Sequence, residues 1–266
     1  MKGPPVTAPA HGSPDTPSAT RPRKGEDASG GAPHSQTLSR GLRMLELVVS
    51  APEPPTIAEV SAQLGVHRSI AYRILRTLED HGLITRDASG RLIGAPGLAV
   101  LARGVQQDLQ SAALPELTTL ANELQMSAFV AVWGQGECIT LVTVEPSHGH
   151  AVTQRPGTRH PLDRGAPGLA VQAGMGPEEL AGLTGGLPPR VEVEQARQRG
   201  YAVSNDEVLD GVSSVAVPLR VDGHLPAAVA VVYATRQLDV EALGRKLALS
   251  AERVAGRLGQ RLATGH

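Results

Sequence analysis

A run of hydrogen-bond donors between residues 67 and 76 is the part of this sequence best suited to specific chemistry. Its members are His67, Arg68, Ser69, Tyr72, Arg73 and Arg76. No acidic residue occurs between Val60 and Leu78, so the surface that the donors form is uniformly basic. A helix with donors in front and apolar residues behind suits the DNA major groove. The run therefore indicates a DNA-recognition helix; an ordinary basic surface helix is the alternative interpretation.

Two short helices joined by a tight turn at Gly65 are predicted to position these donors on the second helix. Thr56 and Glu59 have the spacing of a capping box, which starts the first helix. The positions predicted to face inward are Ile57, Val60 and Leu64 in the first helix and Ile70, Ile74, Leu75 and Leu78 in the second. A helix before the pair is predicted from the stripe Leu38, Leu42, Leu45, Val48 and Val49.

A β-hairpin is predicted directly after the second helix, which ends at Gly82. Residues 83–86 and 91–93 form its strands, and Asp87-Ala88-Ser89-Gly90 forms its turn. A basic hairpin in this place is the wing of a winged helix, which contacts the phosphate backbone or the minor groove of DNA. We therefore predict phosphate contacts for Arg86 and Arg91.

The sequence resembles the IclR family of bacterial transcription regulators in three blocks. The blocks are Ser39–Leu45 with Ser69–Ile84, then Gly157–Ala170, and finally Gly200–Glu207 with Gly211–Pro218. The resemblance spans about residue 36 to the C-terminal helix. It implies a winged helix-turn-helix domain and a GAF-like effector-binding domain. It also implies double-stranded operator DNA as a partner and a homodimer that can pair into a tetramer. The predicted DNA-binding residues are Arg40, Thr56, His67, Arg68, Ser69, Tyr72, Arg73, Arg76, Arg86 and Arg91.

The domain organisation is predicted from composition and periodicity. Residues 1–35 are rich in Pro, Gly, Ser and Thr and are expected to be disordered, because they hold too few apolar side chains to form a core. The winged helix-turn-helix domain is expected over residues 36–95 and a linker helix over 96–112. An effector-binding and oligomerisation domain is expected over 113–266.

The last domain is predicted to contain an antiparallel sheet flanked by helices, which is an α+β fold. Strand hairpins are expected over residues 128–144 and 214–234, and another strand over 150–155. The stripe Leu243, Leu247, Leu249, Val254 and Leu258 predicts a closing helix over about 239–262.

Composition limits the classes of function. The net charge is −1, so any DNA affinity must come from local clustering of basic residues. The single cysteine, Cys138, excludes an internal disulfide and a cysteine-cluster zinc site. No apolar run approaches the roughly 18 residues of a membrane span, and the N-terminus lacks the apolar core of a signal peptide. A cytoplasmic, nucleoid-associated protein is expected.

The resemblance implies an effector pocket in its second and third blocks. The implied residues are Asp163, Gly165, Ala166, Pro167, Gly168, Ser204, Val212, Ser214, Val231 and Tyr233. The family usually has His at the position of Asp163, Lys at that of Leu169 and Ser-x-Ser-Gly at residues 231–234. These departures predict an effector that is less acidic and more apolar than a small carboxylate. The alternative is that these are core residues and that the pocket is vestigial.

Other chemistry finds little support in the sequence. His148, His150 and His160 could hold a metal ion, but no acidic or thiol partner has ligand spacing, so they are interpreted as loop residues. Neither Gly-x-Ser-x-Gly nor a phosphate-loop lysine occurs. We therefore predict a regulator without enzymatic activity, metal or cofactor. The alternative is a small-molecule-binding GAF-like protein without sequence-specific DNA binding.

Overall fold

The structure, a computed structural model, describes residues 1, 35–134, 136–149 and 151–264, with side chains up to residue 260. The chain divides into two compact units, residues 1–98 and 99–266. The predicted disordered tail lies outside the described residues except for its two end positions.

The first unit is a winged helix-turn-helix. Its elements are α1 (Gln36–Ser50), α2 (Ile57–Leu64), α3 (Arg68–Asp80), β1 (Ile84–Arg86) and β2 (Leu92–Gly94). The strands β1 and β2 pair antiparallel and form the wing. The order of helix, helix-turn-helix and hairpin confirms the fold predicted from the sequence.

Apolar side chains from all five elements meet in one core. Its buried members are Met44, Val48, Val60, Ala71, Ile74, Leu75, Leu78, Ile84 and Leu92. The prediction was wrong at Ile70, which is 37% exposed, whereas Ala71 takes the inward position on α3. It was also wrong at three positions of α1 that are exposed, Leu38, Leu42 and Val49. Because α1 is apolar on two sides, periodicity alone does not show which side is buried.

Side-chain and glycine caps set the boundaries of α2. The Oγ1 atom of Thr56 accepts the Glu59 N–H at 3.3 Å, and the Glu59 carboxylate accepts the Thr56 N–H at 2.7 Å. This geometry confirms the predicted capping box. Gly65 ends the helix at φ 63°, in the left-handed region that favours glycine. The chain can therefore turn tightly from α2 into α3.

The second unit is built on an antiparallel sheet. Its strands are β3 (Ser127–Gly134), β4 (Glu137–Val144), β5 (Arg159–Pro161), β6 (Ala202–Asn205), β7 (Val212–Leu219) and β8 (Ala227–Ala234). They lie in the order β5-β4-β3-β8-β7-β6. The hairpins β3–β4 and β7–β8 confirm the two that the sequence predicts.

Helices pack on both faces of this sheet. They are α5 (Gln107–Leu124) and α9 (Val240–Thr264) on one face, and α6 (Ala166–Gly174), α7 (Pro177–Thr184) and α8 (Val191–Arg199) on the other. Alternate residues of β8 divide between the two faces: Val231 packs with α5 and α9, whereas Ala230 and Val232 pack with α6. We call the second face the α6 side. The two helical layers around the sheet confirm the predicted α+β fold.

The prediction of one continuous linker helix over 96–112 is wrong. A short helix, α4 (Gly97–Ala102), ends before α5 begins at Gln107. Gln106 between them has φ 46°, and Gly104 lies in the same interruption. Glycine weakens a helix because it has more backbone freedom to lose, and this overrides the apolar spacing.

The strand predicted over residues 150–155 is also wrong where it can be seen. Residues 151–155 form no strand, and β5 is the next partner of β4 instead. His150 lies outside the described residues.

The closing helix α9 confirms the predicted element, with one stripe position corrected. Leu243, Leu247, Val254 and Leu258 are buried, whereas Leu249 is 54% exposed. Among the described residues, no helix combines the length and the apolar character needed to cross a membrane.

The structure predicts opposite effects for two glycine-to-alanine changes in helices. A Cβ atom at Gly168 would lie 2.4 Å from the Pro161 carbonyl oxygen, so we expect Gly168→Ala to cost about 1–3 kcal/mol of stability. A Cβ at Gly182 in α7 would meet nothing within 4 Å, so Gly182→Ala should stabilise by about 0.5–1 kcal/mol. Urea unfolding of both variants measures the difference. Equal stability of the two variants would contradict the packing described.

Candidate DNA interface and effector site

The outward face of α3 presents three arginines that the rest of the described chain leaves unengaged. Arg68, Arg73 and Arg76 are exposed, and their guanidinium groups form no hydrogen bond or ion pair with another described residue. Tyr72 on the same face is 48% exposed. Ala71, Ile74, Leu75 and Leu78 bury the opposite face. The helix therefore has the basic front and apolar back that the sequence predicts.

The start of α3 is fixed by a histidine cap that the sequence analysis missed. His67 is the N-cap residue, and its Nδ1 atom accepts the Ser69 N–H at 3.3 Å. The same Nδ1 atom lies 2.9 Å from the Ser69 hydroxyl oxygen. Histidine is not among the preferred N-cap residues, so type and spacing gave no signal. His67 and Ser69 therefore orient the helix and contact each other.

The two wing arginines are engaged within the first unit. Arg86 Nε lies 2.9 Å from the Glu79 carboxylate of α3. Arg91 Nη1 donates to the Pro54 carbonyl at 2.8 Å and lies 4.0 Å from the Glu59 carboxylate. Both side chains therefore hold the wing against the rest of the first unit. The phosphate contacts predicted for these arginines did not take such internal contacts into account.

The turn of the wing is held by Asp87. Its carboxylate accepts the Ser89 hydroxyl at 2.7 Å and the N–H groups of Ser89 and Arg91, each at 2.9 Å. The hydrogen bond from the Ser89 hydroxyl, together with that from the Arg91 N–H, lowers the pKa of Asp87. The wing tip is therefore a closed turn whose acidic group is already satisfied.

Two other predicted DNA-contact residues have roles within the helices. The Thr56 hydroxyl donates to Glu59 at 2.9 Å within the capping box. Arg40 lies half-buried in α1. Of the ten predicted residues, those left open to a partner on α3 are Arg68, Tyr72, Arg73 and Arg76.

Strand register brings together some of the predicted effector residues and separates others. Ser214 pairs with Ser204 across β6–β7 and with Val232 across β7–β8, so these three side chains share the α6 side. Val212 packs against the same side. Val231 and Tyr233 pack with α5 and α9 instead, on the opposite face of the sheet, so one pocket cannot be lined by all the predicted residues. A one-residue register error moves a side chain to the other face of the sheet.

The loop before α6 contributes backbone groups to this side. Gly165, Ala166 and Pro167 are buried at the start of α6, whereas Asp163 is exposed. The space at Gly168 is filled by the chain's own backbone at Pro161. Leu169 is a buried core residue. Asp163 thus lies at an exposed loop position and Leu169 in the apolar core, and the effector preference inferred from them stays a prediction.

Glu207 and Arg190, which the sequence analysis did not select, close this loop. The Glu207 carboxylate accepts the Gly165 N–H at 2.9 Å and is ion-paired with Arg190. Arg190 also donates to the Asp163 carbonyl at 2.9 Å and pairs with Glu192 at 3.0 Å. Burial acts to raise the pKa of Glu207, but its hydrogen bonds from Arg190 and Gly165 hold the pKa below its usual value. We call this group the Arg190 cluster.

A second polar group on the α6 side surrounds His160. Its Nε2 atom lies 2.8 Å from the Thr140 hydroxyl and 3.1 Å from the Gln154 amide nitrogen. Its ring stacks on Phe129 with centroids 5.6 Å apart. Burial lowers the pKa of His160, which favours the neutral ring. The sequence predicts a loop position for His160, because the pairing of β4 with β5 that brings it to Thr140 leaves no local pattern.

Two buried polar atoms find no hydrogen-bond partner among the described residues. They are Nε1 of Trp133 and the Thr143 hydroxyl. Trp133 packs against the apolar cluster of the α6 side, and Thr143 pairs in register with Phe129 of that cluster. Buried polar atoms are usually hydrogen-bonded, so both are available to water or to a ligand.

A groove of about 850 Å³ lies between the N-terminal half of α5 and β4, and Thr140 and Thr143 are among its lining residues. Apolar side chains such as Val105, Leu114 and Leu141 dominate its lining, and Arg103 is its charged member. None of the predicted effector residues lines it. The α6 side remains the effector candidate, because it gathers several polar side chains around buried apolar ones.

Family models match part of each unit of this chain. Residues 37–88 match the IclR helix-turn-helix domain, and residues 190–255 match the C-terminal domain of the bacterial transcriptional regulator IclR. Along the chain, the first match lies in the winged-helix unit and the second in the sheet unit.

Curated relatives extend this similarity over most of the chain. The HTH-type transcriptional regulator Rv1719 of Mycobacterium tuberculosis is 28% identical over 70% of this chain and 77% of its own length. The glycerol operon regulatory protein of Streptomyces griseus is 29% identical over 70% of this chain and 79% of its own length.

Solved structures share the fold. An IclR homolog from Microbacterium hydrocarbonoxydans, complexed with 4-hydroxybenzoate, aligns with a TM-score of 0.73 at 22% identity over 84% of this chain and 99% of its own. An IclR transcriptional regulator from Alicyclobacillus acidocaldarius aligns with a TM-score of 0.72 at 24% identity over 85% and 99% of the two chains. At these identities the likeness establishes the fold.

A winged helix-turn-helix followed in one chain by this sheet unit defines a DNA-binding transcriptional regulator. Both units of the chain match domains of the IclR family of these regulators. The resemblance inferred from the three sequence blocks is thereby confirmed.

The environment of His160 predicts a loss of stability in mild acid. Its pKa is lowered in the folded chain, so below the ordinary histidine value of about 6.5 the unfolded chain binds more protons. Stability should therefore fall as the pH drops from about 6.5 through the lowered pKa, by up to about 1.4 kcal/mol per pH unit for one proton. Urea unfolding at pH 7.5 and 5.5 should show a smaller loss for His160→Gln than for the wild type.

The exposed histidine His148 provides the matched control. His148→Gln should keep the wild-type pH dependence. If His160→Gln also kept it, another group would be responsible for the loss.

Proposed function

We propose that this regulator binds operator DNA through the outward face of α3 and that a small molecule on the α6 side modulates the binding. The observation that carries the DNA proposal is the set of three exposed, unengaged arginines on the outward side of α3, with no acid between Arg68 and Arg76. A net charge of −1 gives the chain no general affinity for a polyanion, so a local basic face has to supply it.

The proposed division of labour within the first unit follows from its contacts. Arg68, Arg73 and Arg76 can reach bases or phosphates without breaking an existing bond, and Tyr72 lies among them. Arg86 and Arg91 would have to leave Glu79 and Pro54 to contact DNA. We therefore assign base reading to α3 and positioning to the wing.

The effector proposal draws on the polar groups gathered on the α6 side. Ser204, Ser214 and the backbone at Gly165 surround apolar side chains there, which suits a small organic ligand. The relative from Microbacterium hydrocarbonoxydans, which has a similar fold, is complexed with 4-hydroxybenzoate. We infer that this chain also responds to a small molecule, whose binding changes operator affinity without chemical conversion. A regulator of this kind acts at the nucleoid in the cytoplasm.

Dimerisation is proposed on two grounds. One recognition helix reads few base pairs, so paired half-sites raise specificity. In addition, α1 exposes three large apolar side chains in the first unit, Leu38, Leu42 and Val49. Apolar surface of this kind is typical of a protein contact, and we assign it to a second copy. Contacts between effector units would then join two dimers into a tetramer.

Removing one α3 arginine should weaken operator binding more than removing a wing arginine. We expect Arg73→Ala to cost about 1–3 kcal/mol of binding free energy if the side chain reads a base. Fluorescence anisotropy with DNA selected by the full chain from a random pool measures the loss, and Arg68→Ala tests a second member of the face.

Arg86→Ala serves as the comparison within the same unit. It should weaken selected and random DNA about equally, because the wing positions the unit and reads no base. Unchanged affinity in both Arg73→Ala and Arg68→Ala, with the fold intact by circular dichroism, would refute DNA reading by α3 and favour the plain small-molecule-binding protein.

The dimer proposal predicts that a charge on the exposed side of α1 separates the copies. Leu42→Asp should shift the chain toward smaller species, because a buried carboxylate in an apolar contact is costly. Sedimentation equilibrium measures the shift, and Leu187→Asp, at a residue 71% exposed in the second unit, is the control. Identical association of both variants would place the contact elsewhere.

A further inference from the structure

The groove between the N-terminal half of α5 and β4, which we call the α5 groove, is a concave apolar surface in the second unit. Its volume of about 850 Å³ lies within the range of small-molecule sites, about 300–1,000 Å³. Val105, Leu114 and Leu141 contribute to its apolar lining. Val105 is 48% and Leu114 49% exposed, so the described chain leaves this lining half uncovered. Exposed apolar surface in a groove is typical of a binding site.

Hydrogen bonds brace the end of the α5 groove, where α4 is interrupted before α5. Gln106 has the left-handed conformation at this break, and its Oε1 atom lies 2.9 Å from His224 Nδ1 in the turn between β7 and β8. The Gln110 side-chain amide donates to the Val105 carbonyl at 2.8 Å across the same break. The protein itself therefore fixes this wall of the groove, as expected of a largely pre-formed site.

The polar side chains from the break and from α5 give the α5 groove a single charge. Arg103 lies in the break, and Gln107 and Ser111 occupy exposed positions of α5. The Arg103 guanidinium forms no hydrogen bond or ion pair with another described residue. No acid is found among the described residues that line the groove. An occupant with an apolar body and one negative group would therefore be complementary to this lining.

We propose that the α5 groove binds a small amphipathic carboxylate, such as a medium-chain fatty acid, with its chain along Leu114 and Leu141 and its carboxylate at Arg103. The site is distinct from the α6 side, because Leu141 packs with the core on the face that α5 and α9 cover. Ala102 before the break and Ser111 after it both line the groove. The ligand therefore contacts α4 and α5 together and restrains the break between them.

A series of straight-chain acids tests the apolar part of the site. Hexanoate, octanoate and decanoate, each below its micelle concentration, are titrated into the full chain by isothermal calorimetry. Each methylene group that the groove buries should tighten binding by up to about fourfold, so decanoate should bind at least about tenfold more tightly than hexanoate. Equal affinities for the three acids would contradict burial of the chain.

Arg103→Gln tests the contact with the carboxylate. It should weaken octanoate binding by about threefold to fivefold, because an exposed ion pair contributes only modestly, and it should leave the binding of uncharged octanamide unchanged. Arg236 is also exposed but does not line the groove, so Arg236→Gln should keep the wild-type affinity for both probes. Wild-type octanoate affinity in Arg103→Gln, or an equal loss in Arg236→Gln, would refute the assignment of Arg103.

Ser111→Phe tests the location of the site, because it fills the α5 groove without changing its charge. Ser111 is exposed on α5, so the larger side chain leaves the core intact. The variant should lose octanoate binding. Thr118 occupies an exposed position further along the same helix and outside the lining, so Thr118→Phe should bind octanoate as the wild type does.

Hydrogen exchange of the full chain locates the bound acid. Octanoate should slow exchange at residues 103–106 in the wild type and not in Ser111→Phe. Undiminished octanoate binding by Ser111→Phe, protection confined to the α6 side, or no binding of any acid to the wild type would overturn the proposal. In the last case, a shift of Ser111→Phe toward smaller species in sedimentation equilibrium would assign the groove to a second copy of the chain.

Discussion

Pairing between arginines and acids decides which positive charges of this regulator remain available. Arg86 is held by Glu79, Arg190 by Glu207 and Glu192, and Arg91 by the Pro54 carbonyl near Glu59. The three α3 arginines have no such partner among the described residues. Because the net charge is only −1, this distribution matters more than the total. It concentrates the basic surface of the first unit on one face of one helix.

Pairing between arginines and acids has opposite results in the two units. On α3 no acid lies between Arg68 and Arg76, which leaves these cations open to a polyanion. In the Arg190 cluster the acids outnumber the cation. Glu207 is partly buried, so its interactions there are less screened than those of a surface pair. Exposed ion pairs such as Arg245 with Glu241 on α9 contribute little to stability. Charge placement therefore leaves the α3 arginines open to a partner, whereas the Arg190 cluster is paired within the chain.

Much of the fold was predictable because local signals agreed with it. The Thr56–Glu59 box, the turn at Gly65 and the wing hairpin were all found from residue type and spacing. The errors arose where the position of a side chain depends on how strands pair in three dimensions. The predicted effector residues divide between the two faces of the sheet, with Val231 and Tyr233 opposite Val212, because alternation does not show which strand faces coincide.

The candidate sites were predictable to different degrees for the same reason. The α3 face is formed by one continuous helix, so its donors could be identified from spacing. The Arg190 cluster joins residues 163, 165, 190 and 207 from separate loops, and no local pattern connects them. His67 as a helix cap and His160 beside Thr140 were missed because each role depends on a partner that residue type does not indicate.

The central claim, that the outward face of α3 meets DNA, can be tested most directly by photo-crosslinking. A photoreactive phenylalanine analogue would replace Tyr72, and a second protein would carry it at Leu249, which is exposed on α9 of the other unit. Both would be irradiated with DNA selected by the full chain from a random pool. If α3 meets DNA, position 72 should give a crosslink that unlabelled selected DNA competes away and random DNA does not. Crosslinking from position 249 with none from position 72 would contradict it.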